Sequence, residues 1–212
     1  MIKACLSGFL VPILIGLFIL PANGQRKANF SSLEFGAGPS LVGIYDNSSL
    51  TRRYAKLSAT AGMGLVYAVK RDVMVTAHLM YERKGGIEKQ APSGIESFEK
   101  ELNTTSSYIS FSPGIRRYLG RSSVFVEGGP WIAFLFHSRT IQNEQTEIGI
   151  PFTTLDMGAS GSVGVTPRRR ELKGWNFRLV NNLGLADVNH DTGTKEWTNA
   201  LSLIAGIRIR QR

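Results

Sequence analysis

The chain has 212 residues and a formal charge of +9, from 25 Lys and Arg against 16 Asp and Glu. Charged residues make up only 19%, and the 23 glycines sit largely inside apolar runs, where each would cost a helix about 1 kcal/mol. That composition argues against a helical protein, and the single cysteine, Cys5, excludes a disulfide framework and a thiolate metal site.

Residues 1–24 read as a separate object. Lys3 is followed by the apolar run "FLVPILIGLFIL" at 9–20 and then by the small residues Ala22 and Gly24. This predicts a secretory signal peptide cleaved before Gln25, with 25–212 forming one domain. The run is shorter than the about 20 residues that a spanning helix needs. Cys5 precedes the run, which excludes a lipoprotein signal. No later segment reads as a spanning helix, so residence in a membrane would require a closed barrel.

The mature chain then alternates with a period of two through eight segments. The first, about 33–42, puts Leu33, Phe35, Ala37, Pro39 and Leu41 on one face. The second, 57–69, carries Leu57, Met63, Leu65 and Tyr67 on one face and Ser58, Thr60, Gly62 and Gly64 on the other. The third, 72–83, alternates Val73, Val75, Leu79 and Tyr81 with Thr76, His78 and Glu82, then breaks into "RKGG". The fourth, about 106–118, opposes Ile109, Phe111 and Ile115 to Ser110, Gly114 and Arg116. The fifth, 122–136, is the least regular, with Phe125 and Trp131 beside Glu127 and Gly129. The sixth, 154–165, sets Asp156, Gly158 and Ser160 against Leu155, Met157 and Val163. The seventh and eighth, 174–186 and 196–209, continue the pattern, with Asn176, Arg178, Ser202 and Arg208 on the polar face. Connections at 43–56, 84–105 and 137–153 are long, and those at 70–72 and 119–123 are short. Such a rhythm suits a barrel with turns at one end and loops at the other.

Alternation alone fits both a membrane barrel and a soluble lipocalin-like barrel that holds a hydrophobic ligand inside. Three features favour the first. The segments are near the 9 to 11 residues of a bilayer-crossing strand. The polar face is rich in Gly and Ser, leaving room for Arg116, Arg178, Arg208, Glu82, Glu127 and Asp156 to meet inside a narrow lumen. Tyr67, Tyr81, Phe136, Trp175 and Trp197 lie near segment ends, as interfacial girdles require. The expected fold is therefore all-β, an eight-stranded antiparallel up-and-down transmembrane β-barrel.

"LMYERKGG", "SYISFSPGIRRYLG" and "VFVEGGPWIAFLF" resemble the PorT-like outer-membrane β-barrel family of Bacteroidetes-type bacteria. The match rests on Tyr81, Lys84, Gly85, Tyr118, Gly120, Phe125, Val126, Gly128 and Gly129, and is specific over residues 73–135. The resemblance implies an eight-stranded barrel in the cell outer membrane. It implies little about activity, although the namesake takes part in secretion across that membrane.

Candidate chemistry is sparse. His137-Ser138 and His190-Asp191 fall at predicted loop bases, where a lipid-modifying enzyme would keep its His, Ser and acid, but no nucleophile motif accompanies them. "GASGSVG" at 158–164 has the spacing of neither a dinucleotide nor a phosphate loop. His78 reads as a hydrogen-bonded filler of the polar face. The reading is non-enzymatic, with no catalytic, cofactor-binding or metal residues and no cofactor. "PRRRELK" at 167–173 reads as a solvated periplasmic turn, because no aromatic residues interleave the charges and export excludes nucleic acid. "NTT" at 103–105 reads as loop chemistry. Expected partners are outer-membrane lipid and, through the external loops at 89–107 and 137–153, envelope or secretion proteins.

Overall fold

In the computed structural model the described residues are 31–46, 51–70, 72–90, 100–119, 122–142, 146–148, 154–167, 172, 174–187 and 196–210. The predicted signal peptide, His190, Asp191 and most of "PRRRELK" lie outside them. Among the described residues no helix is long and apolar enough to cross a membrane. Ten strands form instead: β1 (Ser31–Asp46), β2 (Thr51–Tyr54), β3 (Lys56–Ala68), β4 (Val73–Gln90), β5 (Lys100–Tyr118), β6 (Val124–Gln142), β7 (Thr146–Ile148), β8 (Leu155–Val165), β9 (Trp175–Gly184) and β10 (Glu196–Arg210).

Eight of them close a barrel in the cyclic order β1-β3-β4-β5-β6-β8-β9-β10, every pairing antiparallel. The ring is sealed between its first and last strands, with Ser32 opposite Arg210 and Tyr45 opposite Trp197. Closure satisfies the edge groups that an open sheet would leave bare in hydrocarbon. The short strands β2 and β7 add to β4 and β6 at the loop end.

Orientation follows from the period of two. Leu79, Phe134 and Leu203 are 46%, 53% and 56% exposed, whereas Glu34, Arg116 and Asp156 are 2%, 0% and 0%. The greasy face therefore looks outward on the eight strands of the barrel wall. This arrangement excludes a lipocalin-like interior, in which those three apolar side chains would converge. Phe125 and Trp131, which blurred the alternation of the fifth segment, are lumen fillers.

Prolines break the ladder where the outward pattern places them. Pro113 on β5 and Pro130 on β6 stand at the interruption between the Phe111–Ile132 and Ile115–Gly128 pairs. Pro39 on β1 marks a similar interruption against β10, between Ala37–Ala205 and Ser40–Ser202. Each ring nitrogen lacks a hydrogen to donate, so pairing is kept only on the other side of the strand, at Pro39–Ala59, Ala77–Pro113 and Pro130–Ala159. The glycine beside two of these prolines is obligatory. A Cβ on Gly38 would lie 1.8 Å from the Leu203 carbonyl oxygen, and one on Gly129 would lie 2.0 Å from that of Pro113.

The strands are longer than the sequence pattern predicts. All 18 residues of β4 pair with β5, from Val73–Arg117 to Gln90–Lys100, so the strand passes through "ERKGG" without stopping. β1 likewise runs to Asp46, β6 runs to Gln142, and "NTT" at 103–105 is strand rather than loop. Beyond the apolar band neither face needs to be greasy, so the alternation fades while backbone pairing continues. β8 and β9, with 11 and 10 residues, are of crossing length. The rim is consequently uneven. An 18-residue strand rising about 3.4 Å per residue and tilted about 45° reaches roughly 40 Å along the membrane normal, against an apolar band of about 25 Å.

Candidate functional site

The lumen holds two layers of paired charge. In the layer nearer the turns, Arg116 is the hub. Its Nη1 and Nη2 donate to the two carboxylate oxygens of Glu34 at 2.8 and 3.0 Å, and its Nε donates to Glu127 at 2.6 Å. This fork geometry is the one that arginine makes best with carboxylates. Arg208 Nε adds a second cation to Glu34 at 2.7 Å, and its Nη2 reaches the Tyr118 hydroxyl at 3.2 Å. Phe125 lies against the Arg116 guanidinium, 4.2 Å from its carbon. His78 Nε2 lies 2.8 Å from Glu127 Oε1, and Arg178 Nη1 lies 3.0 Å from the same ring nitrogen. Gly64 makes room for that ring, since a Cβ there would come 2.2 Å from His78 Nδ1.

In the layer nearer the loops, Lys84 Nζ donates to Asp156 at 3.1 Å and lies 3.6 Å from Glu82. Thr198 donates to the same Asp156 oxygen at 2.7 Å, and Asn182 donates to Glu82 at 2.8 Å. Lys84 also sits 3.8 Å above the Trp131 ring, whose indole nitrogen donates to the Ala159 carbonyl at 3.1 Å. Tyr108, Trp131 and Ala133 pack together there as a small apolar plug.

Desolvated ions are tolerated only when paired, and here they balance. Glu34, Glu127, Glu82 and Asp156 face Arg116, Arg178, Arg208 and Lys84, so these eight side chains carry no net charge. Between the layers lies a cavity of about 30 Å³, lined by His78, Glu82, Glu127, Arg178 and Asn182 among others. That is room for a water or two, not for a channel. Nε of Arg178, Oε2 of Glu82 and Oδ1 of Asn182 have no hydrogen-bond partner among the described residues, so the cavity offers water the polar contacts it needs.

All six charged residues expected in the lumen meet there. Glu34 and Lys84 join them. Glu34 was legible as the inward neighbour of Leu33 and Phe35, and Lys84 as the next inward position after Glu82 once the strand is continued. His78 fills the polar interior as expected. His137 and Ser138 do not come together. β6 carries a bulge opposite Ser107–Tyr108, where His137 pairs with Ser107 and Leu135 with Tyr108. The extra residue leaves both Phe136 and His137 exposed, and turns Ser138 inward to Ser106 at 3.0 Å. Imidazole and hydroxyl thus point to opposite faces.

The expected girdles form outside. Tyr67 and Trp175 are exposed near the turns, and Tyr81 packs on Phe136 toward the loops, with ring centroids 5.9 Å apart. A closed barrel with an apolar exterior, aromatic belts and a self-neutralised core is an outer-membrane β-barrel. The sequence matches the outer membrane protein beta-barrel domain over residues 23–189, and the chain belongs to that family. A search of curated proteins gave no match. Among solved structures, the outer membrane protein OprG from Pseudomonas aeruginosa is 11% identical, with 85% of this chain and 96% of OprG covered at a TM-score of 0.50. Ail, the attachment invasion locus protein of Yersinia pestis, is 11% identical over 84% of this chain and 99% of its own, at 0.46. The outer membrane protein AlkL is 14% identical over 90% and 95%, at 0.44. At such identities the likeness is one of fold. The protein resides in the outer membrane.

Proposed function

We propose that this barrel is a sealed, non-catalytic scaffold of the PorT-like kind, which engages envelope proteins through its tall outer rim during secretion or envelope assembly. The observation that carries this reading is the contrast between lumen and rim. Among the described residues, two ionic layers and the Trp131–Tyr108 plug fill the lumen, while β4, β5 and β6, with 18, 19 and 19 residues, stand well beyond the apolar band. An eight-stranded barrel is only just wide enough to be filled by side chains, which argues against a porin. The separation of His137 from Ser138 argues against a lipid-modifying enzyme. The motifs at 73–135 support the narrower family.

Three measurements test the reading together. Refolded protein in a planar bilayer is expected to give no stable openings. A strain lacking the chain is expected to lose part of its surface-displayed or secreted protein while its lipid A composition stays unchanged. Large steady conductance, or a lipid A change that His137→Ala also produces, overturns the proposal.

A further inference from the structure

The β3–β4 ladder is interrupted at the outer end of the wall. Pairing ends at Thr60–Glu82 and resumes only where Tyr54 of β2 meets Ile87. An open cavity of about 230 Å³ occupies the interruption. Its lining mixes the two faces of the wall: Leu57 and Arg83 point out, Lys84 points in, and Lys56, Ser58 and Thr105 complete it. Lys56 spans the notch, donating to Asn103 Oδ1 at 2.7 Å and Thr105 Oγ1 at 2.6 Å on β5. An ammonium has three donors, so one remains. Arg83 is exposed on the same stretch of wall and has no carboxylate partner among the described residues. The adjacent acid on the strand, Glu82, faces the lumen, where it lies beside Lys84.

The height of the notch identifies what it meets. Tyr81 belongs to the aromatic belt, and Arg83 is the next outward residue, about 7 Å further along the strand. That is the level of outer-leaflet headgroups. Below it, Met63, Leu79 and Tyr81 present apolar surface. Two cations over an apolar wall, beside a cavity large enough for a phosphate, form a site for an anionic amphiphile. A guanidinium grips two phosphate oxygens at once, and the ammonium supplies a point charge.

We propose that Arg83 and Lys56, at the notch between β3 and β4, bind the phosphorylated headgroup of an outer-leaflet lipid whose acyl chains lie along Met63, Leu79 and Tyr81. The inference uses only the outer-membrane location, and stands or falls separately from a role in secretion or assembly.

The test is native mass spectrometry of the refolded mature chain in detergent, with bisphosphorylated lipid A, fully dephosphorylated lipid A and inorganic phosphate as probes. The expected result is a retained lipid A adduct that weakens roughly tenfold in Arg83→Gln and is unchanged in Lys70→Gln, an exposed residue in the turn at the other end of the barrel. Arg83 is solvent-exposed, so the variant should keep its heat-modifiable gel shift. Equal retention of dephosphorylated lipid A removes the phosphate from the proposal. Inorganic phosphate bound as tightly as lipid A reduces the site to one for a free anion and overturns the lipid assignment. An unchanged affinity in Arg83→Gln does the same for the residue.

Discussion

Arg116 holds the turn-side layer together, because among the described residues it alone bonds both Glu34 and Glu127. Replacing it with methionine leaves two buried carboxylates each short of a partner. Breaking a buried pair in this way costs about 3–5 kcal/mol. Arg208 shares Glu34 with Arg116 and sits nearer the rim, so Arg208→Gln should cost about 1–2 kcal/mol. Urea unfolding of the refolded barrel, followed by gel mobility, distinguishes the two. Equal midpoints for both variants would deny Arg116 its central place. At this scale the alternation was a good guide, because one backbone parity decides whether a side chain meets lipid or lumen. It could not show which arginine meets which carboxylate, since those contacts join Glu34 to residues 82 and 174 positions away.

Strands were legible wherever hydrocarbon demands an apolar face, and blurred where that demand ends. The segments at 57–69 and 154–165 match β3 and β8 to within a residue or two. The extensions of β4, β5 and β6 read as loops because, beyond the hydrocarbon, charge on both faces removes the alternation while the backbone pairing continues. The bulge in β6 was hidden for a different reason. It reverses parity after Phe136 without altering composition, so His137 appears to sit where a lumen-facing or loop residue would. Depth along a strand also sets the cost of an outward charge. Leu203 lies mid-strand in β10, whereas Ile209 is one residue from its end. Leu203→Arg should therefore destabilise the barrel by about 2–4 kcal/mol, and Ile209→Arg by about 0–1 kcal/mol. Unfolding midpoints in lipid vesicles check this, and a larger penalty at Ile209 would mean the hydrocarbon slab is misplaced along the wall.

For the whole molecule, closure is the property on which everything else depends. Ala37 and Ala205 are directly opposed across the β1–β10 seam, and both face outward. The only native cysteine is Cys5. Cysteines at Ala37 and Ala205 should form a disulfide in an oxidising envelope, because directly opposed residues of antiparallel strands have Cα atoms about 4.5–5.5 Å apart. Non-reducing gels of boiled protein would then show a faster, reductant-sensitive band. A pair shifted by one residue, Ala37→Cys with Gly206→Cys, should cross-link poorly, because the second side chain points into the lumen. Efficient cross-linking by the shifted pair alone would mean a different register at the seam.

The seam has a topological corollary. Because Ser32 lies across from Arg210, the circuit of hydrogen bonds has no privileged starting strand. Fusing the two ends through a brief linker and reopening the polypeptide in the short connection between β5 and β6 should yield a circular permutant that assembles the same cylinder.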